Sequence, residues 1–215
     1  AASGNSTAAP LSAAGSLTVR ADRIVQGGRI AAPLGKIELA ANSLLELLPG
    51  SVTTTSAGRD ILFGQVQGSS DWVYQTRDGV FEKITAPVDK QVALSGASVQ
   101  ISEGATVDIS GGGDLLAYEF IPGPGGSIDV LDPANSNGRY YAVIPTLGSG
   151  SAPLDTQEFQ GTDLNPGDTL TVYADVPGLL SAGKYTLLPA RYALLPGAVL
   201  IEALPGSNFK PGTLA

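Results

Sequence analysis

Cysteine, histidine and methionine are all missing from this chain. Without cysteine there is no disulfide, no thiolate zinc site and no cysteine nucleophile. Without histidine, the commonest general base and metal ligand near neutral pH is gone. Without methionine no initiator is present, so the chain reads as a processed or excised piece of something longer. A cysteine-free chain suits export through an oxidising periplasm, although many cytosolic chains share the trait. Charge is scarce too: 15% of the 215 residues are charged, and the acidic ones prevail to give −8. Phosphate binding needs a basic face, so nucleic acid is excluded as a partner. No apolar run reaches the roughly 18 residues of a membrane helix, and no signal peptide is visible.

What is present is apolar and rich in turn residues. The chain is 43% hydrophobic, with 28 glycines and 15 prolines. That is too apolar for a disordered chain, and frequent Gly and Pro imply many short strands. The stretch Gly96 to Gly113 shows the pattern. Val99 and Ile101 alternate with polar residues, Glu103-Gly104 breaks the run, Val107 and Ile109 resume it, and Gly111-Gly112-Gly113 closes it. Short strands with small residues at the corners are a β signal. Each is too short to stand alone, which suits a coil that stacks on its neighbours, with Val99, Ile101, Val107 and Ile109 as its inward row.

Repeats support stacking. Gly15-Ser16-Leu17-Thr18-Val19-Arg20-Ala21 returns twenty residues on as Gly35-Lys36-Ile37-Glu38-Leu39-Ala40-Ala41, and such a period marks a solenoid. A sharper match joins Leu44–Ser51 to Leu200–Ser207, identical at six of eight positions. Val99, Ile101 and Gly104 stand as a looser version of Leu45, Leu47 and Gly50. Two segments break the rhythm. Trp72 to Ile84 reads as a hairpin around Asp78-Gly79, because glycine tolerates the positive φ of a tight turn. From about Asp114 to Ala193 lie six of the seven tyrosines, with Pro-Gly turns at 122–123 and 177–178 and Asn137-Gly138. Within it, Gly167–Tyr173 and Ala182–Leu188 read as two antiparallel strands of a small sandwich or barrel. Leu187-Leu188-Pro189 and Leu194-Leu195-Pro196 read as strand ends stopped by proline.

The expected fold is all-β: a right-handed parallel β-helix with an inserted antiparallel β module. Residues 1–14 form a linker or incomplete coil, and 15–113 form coils with a projecting hairpin at 72–84. An inserted sandwich-like module follows at 114–197, and 198–215 resume the coil.

Gly111-Gly112-Gly113-Asp114-Leu115-Leu116-Ala117-Tyr118-Glu119-Phe120, with Gly183 to Ala198 (G-K-Y-T-L-L-P-A-R-Y-A-L-L-P-G-A), resembles a region of large filamentous haemagglutinin-like exoproteins. The resemblance covers about residues 96 to 200, and the earlier coils match only in style. It implies a right-handed parallel β-helix, two-partner secretion through an outer-membrane transporter of a Gram-negative bacterium, and a secreted or cell-surface role. The family's N-terminal secretion signature is absent from this stretch, so the resemblance is to an interior section. Its partners are then neighbouring coils of a longer chain and a host-surface glycan or protein.

Catalytic chemistry finds little support in the residues. Glycoside hydrolysis wants two carboxyls on one wall, and Glu103, Asp108 and Asp114 are the candidates. Asp108 alternates with Val107 and Ile109, so it points outward; Glu103 and Asp114 sit in turns. No Gly-x-Ser-x-Gly elbow or phosphate loop occurs. Asp155, Asp163 and Asp168, like Asp129 and Asp132, match neither the EF-hand nor the Gly-Gly-x-Gly-x-Asp calcium spacing, so neither a metal nor a cofactor is expected. Trp72, Tyr74 and Phe81 remain as the candidate ligand-binding residues, a projecting apolar face or else rings folded back over the coils. The reading is a non-catalytic adhesin section acting as a rigid shaft. A β-helix polysaccharide-degrading enzyme and a shaft with no ligand are the alternatives.

Overall fold

Runs in which polar residues alternate with branched apolar ones become strands, and the pairing of those strands sets the architecture. The computed structural model describes residues 10–68, 70–75, 80–86, 89–136, 138–147, 152–153 and 164–204. In chain order the strands are β1 (Ser16–Gln26), β2 (Arg29–Ala31), β3 (Lys36–Leu47), β4 (Val52–Thr54), β5 (Ile61–Gln67), β6 (Asp71–Gln75), β7 (Phe81–Lys83), β8 (Gln91–Ser95), β9 (Ser98–Ile101), β10 (Thr106–Asp108), β11 (Leu115–Tyr118), β12 (Tyr140–Val143), β13 (Thr169–Val172), β14 (Gly183–Thr186), β15 (Leu188–Pro189) and β16 (Val199–Glu202). The fold is all-β with both parallel and antiparallel sheets. It divides into two units, residues 1–63 with 85–116, and 64–84 with 117–215.

The first unit is built by parallel pairing. β1 runs beside β3 with Ser16 opposite Lys36 through Ala21 opposite Ala41, then slips by one residue to set Arg23 opposite Leu44 and Gln26 opposite Leu47. This is the register of the twenty-residue repeat. The other edge of β3 takes β8 and β9, with Ile37 opposite Val92, Leu39 opposite Leu94, Leu45 opposite Val99 and Leu47 opposite Ile101. A second ladder repeats the order, with β4 between β2 and β10 and Ile30, Thr53 and Val107 aligned. Three passes of chain, 15–34, 35–58 and 90–112, thus lie side by side. Lys36 N–H donates to the Gly15 carbonyl at 2.9 Å and Gln91 N–H to the Gly35 carbonyl at 3.0 Å. A Cβ on Gly35 would run into the Gly15 carbonyl oxygen, so the passes approach this closely only with glycine there.

The inward residues of the middle pass, Ile37, Leu39, Leu45 and Leu47, are buried with Ile24, Ala32 and Ala41. Beyond this apolar row the interior turns polar. Gln26 Nε2 donates to the Val52 carbonyl and to Thr53 Oγ1, and Gly28 N–H donates to Gln26 Oε1. Ser51 Oγ and Thr55 Oγ1 are buried without a hydrogen-bond partner among the described residues. On the outer face Arg20 pairs with Glu38 at 3.1 Å and Arg23 with Glu46 at 3.2 Å. Exposed pairs of this kind contribute at most about 1 kcal/mol, so burial carries the stacking.

One expectation needs correction here. Val99, Ile101, Val107 and Ile109 were assigned to a buried inward row, yet all four are exposed, Ile109 to 63%. Register puts Val99, Ile101 and Val107 on the inward side, opposite buried Leu45, Leu47 and Thr53. They are exposed because the third pass has a described neighbour on one side only. Of the segment expected as a linker or incomplete coil, residues 10–14 are described: Leu11 is buried and Ala14 N–H donates to the Pro33 carbonyl at 3.0 Å.

The second unit pairs antiparallel. β13 lies against β14 with Leu170 opposite Tyr185, and β12 takes β15 on one edge and β16 on the other. Tyr141, Val143, Leu170, Val172, Leu180, Tyr185 and Leu187 form its core. The Tyr141 hydroxyl donates to the Leu164 carbonyl at 2.8 Å and the Tyr185 hydroxyl to the Ser181 carbonyl at 2.8 Å, so these two phenols of the core are satisfied. The expected resumption of coil at 198–215 is overturned over its described part. Val199–Glu202 pairs antiparallel with β12, Ile201 opposite Tyr141, and belongs to this unit. The apolar alternation it shares with Leu44–Ser51 suits parallel and antiparallel strands alike. Leu194-Leu195-Pro196 is not a second strand end, since Ala190–Leu194 form a 3-10 turn.

Candidate ligand-binding surface

Trp72, Tyr74 and Phe81 lie on an antiparallel ribbon, β5–β6–β7. Across β5 and β6, Gln65 is opposite Val73 and Val66 opposite Trp72; across β6 and β7, Val73 is opposite Lys83, Tyr74 opposite Glu82 and Gln75 opposite Phe81. Opposed residues share a face and successive residues alternate. Trp72 and Tyr74 therefore stand with Val66 and Glu82, while Phe81 stands on the other face with Val73 and Lys83. The single apolar face expected of the three rings is not formed.

Register explains the split. Had Asp78-Gly79 closed a two-residue turn, Phe81 would have fallen opposite Thr76 and on the face of Trp72. The observed pairs leave residues 76–80 between Gln75 and Phe81, and a slip of one residue moves a side chain to the opposite face. The Asp78-Gly79 turn lies outside the described residues, as does Asn137 of the Asn-Gly turn.

Trp72 and Tyr74 are half-buried, Val73 between them is buried, and Phe81 is 42% exposed. Gly64, opposite this strand, has φ +84. A Cβ there would collide with the Val73 carbonyl and come within 3.0 Å of Trp72 Nε1, so glycine lets β5 close onto the tryptophan. The Tyr74 hydroxyl donates to Glu82 Oε2 at 2.6 Å. That bond, then burial, then the Glu82 charge hold the phenol above its ordinary pKa. On the other face Lys83 pairs with Asp71 at 2.6 Å, and the Tyr118 hydroxyl donates to Gln65 Oε1 at 2.7 Å. An indole beside a phenol–carboxylate pair offers a flat apolar surface with an adjacent hydrogen-bonding edge. Glu82 was not singled out from sequence. Its signal was there in the eight-residue spacing from Tyr74, but reading it required the strand register.

No hydrogen bond joins the carboxylate candidates to one another among the described residues. Asp108 is half-buried and bound on three sides: Ser110 Oγ–H and N–H donate to Oδ1 at 2.6 and 2.9 Å, and Thr54 Oγ1–H donates to Oδ2 at 3.0 Å. The Ser110 hydroxyl first, then its backbone N–H, then Thr54 and the charge of Arg29 hold this carboxyl below the usual range. Glu103 is exposed in its turn, and Asp114 N–H donates to Asp60 Oδ1. Asp129, Asp132 and Asp168 accept backbone N–H groups within their own turns; Asp155 and Asp163 lie outside the described residues. Among the described residues no group of three or more acidic side chains is placed to hold a metal.

Compared with known proteins, the chain matches no family model, no curated protein and no solved structure.

Proposed function

We propose that the chain is a non-catalytic section of a large secreted or surface-exposed bacterial exoprotein of the filamentous haemagglutinin kind. In this reading the parallel passes are coils of a right-handed parallel β-helix that serves as a stiff shaft, and the antiparallel unit with its aromatic ribbon is presented for attachment. Export by two-partner secretion and a Gram-negative cell surface follow from the same resemblance. The observation that carries the reading is β3, flanked on both edges by in-register parallel neighbours while its inward side chains are sealed. Stability is then a sum of neighbour terms along a line, which lets a shaft be long without one large core. In this reading Asp108 is a structural carboxylate, held by the Ser110 hydroxyl, the Ser110 backbone N–H and Thr54, and three such donors make it unsuited to the general-acid role in glycoside hydrolysis.

The test is attachment of the purified chain to host cells and glycan arrays, before and after Trp72→Ala with Tyr74→Ala. Loss of attachment with an unchanged circular dichroism spectrum supports an adhesive ribbon. Unchanged attachment removes the ribbon from the role and leaves the shaft alone, the reading favoured by the separation of Phe81 from Trp72 and Tyr74.

A further inference from the structure

The hairpin of β13 and β14 buries Leu170, Val172 and Tyr185 at its base and exposes apolar residues at its apex. Residues 173–179 are all exposed. They include Tyr173 at 70%, Val176, Pro177 and Leu179 at 58%. A cluster of this kind on a soluble surface marks an interaction site more often than isolated apolar residues do. The apex is held by its own bonds. Leu179 N–H donates to the Val176 carbonyl at 3.0 Å across Pro177-Gly178, and Gly178 has φ +76, as the second central position of a type II turn requires. Val176 N–H donates to the Leu180 carbonyl at 2.7 Å, and Leu180 N–H to the Val176 carbonyl at 3.1 Å. Ala182 N–H donates to Asp175 Oδ1 at 2.7 Å. Leu180 is buried in the core of this unit, so the turn is anchored while Val176 and Leu179 stay in solvent.

We propose that this apex enters the interfacial layer of a lipid bilayer. Backbone groups that leave water must be hydrogen-bonded within the protein. The N–H groups of Val176, Leu179 and Leu180 already are, and Pro177 has none. From Val176 to Gly183 no side chain is charged, so entry desolvates no ion. Asp175, the nearest acid, is engaged by Ala182 N–H. The base of the hairpin carries the residue types that sit among lipid headgroups. Tyr173 is exposed there, and Lys184, opposite Thr171, is exposed with no ion pair among the described residues. One lysine in a chain of net charge −8 is a small pull towards anionic lipid, so apolar insertion carries the binding. A protein cleft suits the apex less well. Specific interfaces are fixed by hydrogen bonds, and residues 176–180 have no polar side chain to supply them. A bilayer asks for none. The inference is independent of the shaft and of the ribbon that holds Trp72 and Tyr74.

The experiment is flotation of the full chain with sugar-free vesicles, one set of phosphatidylcholine alone and one containing phosphatidylserine. The wild type is expected to float with both, and more with phosphatidylserine at low salt. Val176→Ser with Leu179→Ser is expected to lower the bound fraction at least about tenfold on either set, because two aliphatic side chains lose their transfer out of water. Both positions are exposed, and circular dichroism checks that the fold is kept. Trp72→Ala with Tyr74→Ala is expected to float like the wild type, which separates lipid contact from the ribbon. Leu179→Trp is expected to gain an emission that shifts to the blue on vesicles and is quenched by brominated acyl chains; it carries the test if the serine variant fails to fold. A wild type that ignores both vesicle sets, as a protein occupant would require, overturns the proposal. So does flotation that survives the serine changes, flotation confined to phosphatidylserine and abolished by salt, or an unquenched Leu179→Trp. None of these results touches the shaft, and loss of cell attachment through Trp72 and Tyr74 would leave the lipid contact standing.

Discussion

Replacing Leu47 and, separately, Ile101 by alanine isolates what a stacked neighbour contributes. The two residues are register partners in adjacent passes, and either change removes three carbons. Leu47 is 0% exposed and Ile101 is 56% exposed. At about 0.8 kcal/mol per buried carbon, Leu47→Ala forfeits about 2.4 kcal/mol of transfer, and the unrelaxed cavity raises the cost to about 3–4 kcal/mol. Ile101 has less than half of its surface covered, so the same arithmetic gives about 1 kcal/mol. The weaker strand propensity of alanine adds to both, leaving a difference of about 2 kcal/mol. Tryptophan and tyrosine all fall in the unit formed by 64–84 and 117–215, so fluorescence reports that unit and not the parallel ladders. Urea unfolding followed by far-ultraviolet circular dichroism reads the ladders. Hydrogen exchange of β3 confirms which unit opened. Equal costs at the two positions, or a mild effect at Leu47, would refute the account of the middle pass as sealed from both sides.

Gly35→Ala is expected to cost about 2 kcal/mol or more, because the new methyl meets the Gly15 carbonyl and the backbone must yield; loss of exchange protection in β1 and the first half of β3 checks it. Thr55→Val is expected to stabilise by about 1 kcal/mol, since it removes a buried hydroxyl that has no partner among the described residues while keeping the shape; a lowered urea midpoint would contradict it. The Asp108 carboxyl is held below its ordinary pKa by Ser110 and Thr54. Its stabilising contribution is therefore present above the unfolded-state value and lost as pH falls through the depressed folded one. Asp108→Asn is expected to flatten the acid limb of the stability profile, and a carboxyl titrating at its ordinary position by NMR would remove the basis for this.

Gly15–Ala21 and Gly35–Ala41 pair residue for residue, and the weak correspondence of Leu45, Leu47 and Gly50 with Val99, Ile101 and Gly104 marks true neighbours. The stronger identity, Leu44–Ser51 with Leu200–Ser207, misled: its described part pairs antiparallel elsewhere. Short-range pattern therefore carried the strands and the spacing of the first two passes, because alternation and a constant turn-to-turn length are local properties of the chain. Three things were decided only in three dimensions. Exposure of Val99 and Ile101 depends on which pass has a described neighbour on each side, a fact about pairing that no residue encodes by itself. The face of Phe81 depends on a single residue of register across β6 and β7. The grip on Asp108 depends on Thr54, a partner from another pass. A strand's side chains alternate whatever it pairs with, so sequence alone determined that this chain is made of strands, while the partner, direction and register of each one came from packing.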